Sequence, residues 1–144
     1  MMLINQVSVF SENRSGQLAD ITGVLANHGI DLRAINIAES TDYGVIRIIT
    51  SDVEQTISLL HENGYITSVS QVLVVGVPNR PGGLASLLRL MAEESVDIQY
   101  MYSIFGENDG SAYMIFRVAN PEKVCDMLIE HEINVADGQD LGIE

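Results

Sequence analysis

Two apolar rhythms alternate along the chain, and the switches between them mark out its elements. "NQVSVF" at 5–10 has the β-branched and aromatic character of a strand. From about 16 to 28, Leu18, Ile21, Val24 and Leu25 fall on one stripe at helical spacing and predict an amphipathic helix. Extended runs at about 30–39 and 43–50 come next, joined by the turn-forming "STDYG". Val53, Ile57 and Leu60 predict a second helix at about 53–62, capped by Asp52 or Ser51 and stopped at Gly64. "YITSV" then reads as a closing strand.

The same order is written a second time. Residues 13–32 laid on 79–98 without gaps give seven identities in twenty, and most other pairs are conservative, such as Ile21 with Leu87. Further on the register moves by two residues, so that Leu60 faces Leu128 and Glu62 faces Glu130. The extra residues fall in "FGENDGSA", a turn-rich stretch where insertion costs little. Helices are predicted near 82–94 and 121–131, with Pro121 suited to a helix start.

Strand, helix, strand, strand, helix, strand is the order of the split unit of ferredoxin-like folds. The expected class is therefore α+β: two tandem βαββαβ units, residues 1–70 and 71–144, with antiparallel sheets packed side by side and helices on one face. Apolar residues at both parities of "IDLRAINIA" and "VDIQYMYSIF" predict burial on part of the second sheet face or at an edge. "YITSVSQVLVVGV" leaves almost no linker, so the copies are expected to form one rigid body.

Composition narrows the function. Of 144 residues, 47% are hydrophobic, enough for a buried core. Twenty acids against seven bases give a net charge of −13. Such a surface repels phosphate backbones and anionic lipid, which excludes nucleic acid and membrane as expected partners. No apolar run approaches the ~18–20 residues of a membrane-spanning helix, and the N-terminus lacks a signal-peptide pattern. The single cysteine, Cys125, permits no internal disulfide and reads as a buried helix residue, so a cytoplasmic location is expected. His28, His61 and His131 all fall late in predicted helices, where they favour the negative end of the dipole. No metal-ligand spacing and no acid–base or nucleophile constellation stands out, so neither a cofactor nor catalysis is expected.

What remains is the doubled loop, "NRSGQL" at 13–18 and "NRPGGL" at 79–84. Gly16 and Gly82 each precede a helix and permit a positive φ or close approach of a ligand. Ser15 and Pro81 suit a helix cap and a first turn respectively. The first amides of a helix lack intrahelical partners and carry the positive end of its dipole, a natural seat for a carboxylate. Asn13 and Asn79 offer both donors and an acceptor. Arg14 and Arg80 place two of the few bases at the same loop position, or else they balance nearby acids. The same residue types also make any tight strand-to-helix turn, so turn and binding loop both stay open on chemistry alone.

A strand, N-x-P-G-x-L, an amphipathic helix and then "VDI" resemble the ACT domain, a small-molecule-binding regulatory module. The C-terminal copy matches with Asn79, Pro81, Gly82, Leu84, Val96, Asp97 and Ile98; the N-terminal copy keeps Asn13, Gly16, Leu18, Ile30, Asp31 and Leu32 but has Ser15 in place of proline. The resemblance covers the whole chain and is similar to stand-alone bacterial tandem ACT proteins. It implies amino acids as ligands, bound where one module's strand–helix loop faces another module. The site residues implied are Asn13, Arg14, Ser15, Gly16, Gln17 and Leu18 in one loop. Asn79, Arg80, Pro81, Gly82, Gly83 and Leu84 form the other, with Asn36, Ile37, Tyr102 and Ser103 as opposing walls. Exposed sheet edges and apolar strands invite symmetric pairing, so a homodimer is expected, with a regulated enzyme or regulator as the expected further partner. The competing reading is a non-catalytic protein–protein interaction subunit whose loops are only turns.

Overall fold

The computed structural model of the chain describes residues 2–12, 15–39, 43–104 and 110–143. The predicted hairpin tip at 40–42 and the inserted stretch 105–109 lie outside them. The described chain divides into two compact units, one formed by Asn5–Ser70 with residues 142–143, the other by Gln71–Leu141 with residues 2–4.

The N-terminal unit contains β1 (Ile4–Glu12), α1 (Gln17–Asn27), β2 (Leu32–Glu39), β3 (Tyr43–Thr50), α2 (Val53–Glu62) and the opening of β4 (Ile66–Pro78). Its strands run in the order β2-β3-β1-β4, with β3 antiparallel to both β1 and β2. The register pairs Val7 with Ile48 and Val9 with Ile46, which puts all four on one face because side chains alternate along a strand. Ile21 and Leu25 of α1 and Leu59 and Leu60 of α2 close over that face as a single core. Each such fully buried aliphatic side chain stabilises the fold by about 1.5–3 kcal/mol. Asp52 caps α2 as predicted, its Oδ1 accepting from the Gln55 amide at 3.1 Å.

The C-terminal unit repeats the plan with the rest of β4, then α3 (Gly83–Glu93), β5 (Ile98–Ser103), β6 (Ser111–Val118), α4 (Pro121–Glu130) and a short β7 (Asn134–Val135). Here β4 is flanked by β6 and β7, and β5 pairs with β6, all antiparallel. Leu73, Val75, Phe116 and Val118 face Leu87, Met91, Val124 and Leu128 in the second core, and Met2 and Leu3 pack against it. The closing strand of one copy and the opening strand of the next are thus a single strand of 13 residues.

Strand residues of the opposite parity are buried as well. Ala34 and Ile49 in one unit, and Val72, Val74 and Ile115 in the other, are 0% exposed although they point away from the helices. Apolar residues at both parities therefore have a structural consequence, as the sequence predicted.

All four described helices end in the same backbone motif, with the amide three residues past the last helical residue bent back to its last turn. The bonds are Ile30 N to Leu25 O, Tyr65 N to Leu60 O, Val96 N to Met91 O and Ile133 N to Leu128 O. This motif needs one left-handed residue. The N-terminal unit supplies Gly29 and Gly64, whereas the C-terminal unit uses Ser95 and Glu132 at φ 59° each.

Candidate functional site

The doubled loop folds alike in both units. Gly16 at φ 84° and Gly82 at φ 86° are the residues before α1 and α3, both left-handed and both with open space where a side chain would stand. Glycine is required here by backbone conformation, since an L side chain in this region is strained. The helix cap is the glycine itself, with no side-chain cap hydrogen bond, so Ser15 does not serve as the predicted cap and lies exposed. In the C-terminal copy the Gly83 amide donates to Arg80 O at 3.1 Å, which removes one of the helix amides expected to be free.

A pocket opens against the first helical turn of each unit. In the N-terminal unit it has a volume of about 290 Å³, with Gly16, Gln17 and Leu18 on one side, Ser11 and Glu12 at the end of β1, and Ile37 and Ile46 on the sheet. Ile37 pairs with Ile46 across β2 and β3, so both point toward the helices and floor the pocket. In the C-terminal unit the pocket has about 440 Å³ and lies on the other flank of the helix start. Arg80, Gly83 and Ser86 meet Glu132, Ile133 and Asn134 of the turn into β7.

The predicted site residues divide accordingly. Gly16, Gln17, Leu18 and Ile37 come together in one pocket, and Arg80 and Gly83 in the other. Asn13 and Arg14 lie outside the described residues. Asn36 does not join the wall: it alternates with Ile37 along β2, and its Oδ1 accepts from Arg47 Nη1 at 3.3 Å. Tyr102 is buried and stacks on Tyr100 with ring centroids 6.4 Å apart, while Ser103 is exposed; neither lines the pocket of its unit. Asn79, Pro81 and Gly82 are exposed, with the Asn79 amide bonded to Gly110 O, and Leu84 packs on the core.

Several pocket residues escaped the sequence reading. Ser11 and Glu12 directly precede the loop and could have been included by adjacency. Glu132, Ile133 and Asn134 stand some fifty residues from the loop in sequence, and no local signal links them to it. The motif aspartates are remote from both pockets: the Asp31 carbonyl accepts from the Ser51 amide at 2.9 Å and the Asp97 carbonyl from Ala119 at 3.3 Å, fastening strand ends.

Elsewhere, the described residues contain no cluster of His, Cys, Asp or Glu that could hold a metal, and no described helix is long and apolar enough to cross a membrane. Cys125 is buried, and burial together with the nearby Asp126 carboxylate pushes its thiol pKa up, opposite to the shift of an activated nucleophile. His131 Nε2 lies 3.4 Å from Glu94 Oε1, joining the ends of α4 and α3, and His28 Nδ1 is 2.9 Å from Val24 O at the end of α1.

Comparison with known proteins agrees with this architecture. The crystal structure of protein BT0572 from Bacteroides thetaiotaomicron is similar at 36% identity and TM-score 0.90, covering 98% of this chain and 96% of that one. The regulatory subunit of aspartate kinase from Thermus thermophilus, in its ligand-free form, shares the fold at TM-score 0.62 and 15% identity, over 89% and 93% of the two chains. The corresponding subunit from Thermus flavus gives TM-score 0.57 and 13% identity, over 88% of each. No curated protein sequence matches. The model of the ACT domain pair matches residues 2–143, and with two βαββαβ units in place the chain belongs to the ACT domain pair family.

Proposed function

We propose that the chain is a sensor of a small zwitterion, foremost an amino acid, that works by binding rather than by chemistry. The observation carrying this reading is the recurrence of a pocket against the first helical turn of the doubled loop in both units. A helix start favours a carboxylate, and polar side chains on the same wall are available to an ammonium. Relatives by fold include regulatory subunits of aspartate kinase, which supports a regulatory role directed at an enzyme or regulator. Binding would act by shifting the population of one arrangement of the protein over another.

Calorimetric titration of the full chain with each of the twenty standard amino acids tests the reading. Saturable binding by at least one, weakened in Gly16→Val or Gly82→Val, is the expected result; absence of binding by all twenty overturns it. An interaction subunit is the second reading, favoured by Ile37 at 51% exposure on β2, the last strand in its sheet order. An unpaired edge with an exposed apolar residue suits pairing with a second copy, and we read the working state as a homodimer.

A further inference from the structure

Each unit contains a segment from the far end of the chain. The C-terminal unit takes residues 2–4 along with Gln71–Leu141, and the N-terminal unit takes residues 142–143 along with Asn5–Ser70. The backbone therefore crosses from one unit to the other after residues 4, 70 and 141, where two simple tandem copies need only the middle crossing. Strand β1 itself straddles a boundary, with Ile4 in one unit and Asn5 in the other.

Both outlying segments are held by specific contacts. Met2 and Leu3 are half-buried against the core of Leu73, Val75 and Phe116, and Ile4 is buried. The apolar surface they remove from water stabilises the C-terminal unit although these residues begin the chain. At the other end, the Asp137 carboxylate accepts from the Gln139 amide at 2.7 Å and opens a short 3₁₀ turn, Gln139–Leu141, whose Leu141 is buried. Gly142 follows at φ 69°. A Cβ there would run into the Arg33 guanidinium, with Nη2, Cζ and Nε all within 4 Å, so the planar group lies against the tail. Arg33 stands at the bulge of β2 between Leu32 and Ala34, its Nη1 3.1 Å from the Asp31 carboxylate and its Nε buried. A bulge re-aims the side chain it carries, the ion pair holds the guanidinium in place, and glycine lets the backbone pass over it.

We propose that the exchanged termini form a reciprocal clasp that makes the two units open and unfold as one cooperative body. The N-terminal arm completes the core of the C-terminal unit, and the C-terminal tail, latched on Arg33, completes the N-terminal unit. Residues 2–4 run directly into β1, so the C-terminal unit loses them only by loosening the first strand of the other unit. Gly142 runs directly from the buried Leu141, so the N-terminal unit loses its cover only by loosening the end of the C-terminal unit. Local opening of either copy alone is thereby suppressed.

The test uses the full chain, with the amides of Ile48 and Phe116 followed by hydrogen exchange and by NMR in urea as reporters of the N-terminal and C-terminal units. In the wild type the two reporters are expected to share one unfolding transition. Leu3→Ala and Arg33→Ala each raise the exchange of both reporters by the same factor, about tenfold. Releasing both ends, in Leu3→Asp,Gly142→Val, separates the two transitions. A rise confined to one reporter in either single variant overturns the clasp, as do two separate transitions in the wild type. A shared transition that persists with both ends released shows that something other than the termini couples the units, and also overturns it. If the double variant does not fold, the exchange factors of the single variants decide.

Discussion

The Thr50 hydroxyl donates to the Thr56 hydroxyl across 2.8 Å, joining the last residue of β3 to the first turns of α2 where both residues are fully buried. The direction follows from the second bond of Thr56, whose hydroxyl donates at 2.6 Å to the Asp52 carbonyl, an obligate acceptor. The chain of three groups couples the helix cap to the sheet.

Thr56→Val strands the Thr50 hydroxyl in the interior and is expected to cost about 1–3 kcal/mol. Thr50→Val,Thr56→Val removes both groups together and should cost less than the sum of the single changes. Urea unfolding of the two single variants and the double variant measures the coupling; simple additivity would show that the pair contributes no specific interaction.

Gly83→Ala addresses the closest backbone approach of the C-terminal loop. With the Pro78 carbonyl in the way, the added methyl forces the helix start off the strand, and a loss of about 1–3 kcal/mol is expected from overpacking. Gln17→Ala, at the equivalent position of the other loop, removes side-chain atoms and meets no such barrier. A Gly83→Ala variant as stable as wild type in thermal unfolding would show that the loop relaxes freely.

Ser95→Gly should stabilise the chain by about 1 kcal/mol. Ser95 holds φ 59° in the motif that ends α3, a region where glycine is free of the Cβ penalty. Gly29 occupies the matching place after α1 at φ 71°. Comparison of unfolding midpoints at constant urea dependence measures the gain, and an unchanged or lowered midpoint counts against backbone strain at this residue.

Much of this was legible from spacing alone. Val53, Ile57 and Leu60 mark α2, Asp52 marks its cap, and the duplication is visible in seven identities over twenty residues. The two-residue change of register also has its place in the fold. α1 and α3 are offset by 66 residues, while α2 and α4 are offset by 68, so the insertion falls between the second and third strands of the C-terminal copy. Grouping Asn36 with Ile37 as one wall went against the two-residue period of a strand, and the structure parts them to opposite faces.

Local interactions have local signatures, which is why apolar period, cap and turn residues determined the elements, their order and the ACT domain pair by sequence alone. The neighbourhood of each loop carries no such signature. Whether Gln17 sits in water or under a pocket wall depends on how α1 lies on β1 and β3, and whether Glu132 meets Arg80 depends on where α4 delivers the chain to β7. These are sums of many nonlocal contacts across the core, so only the tertiary structure decided that the two copies of one loop line different pockets.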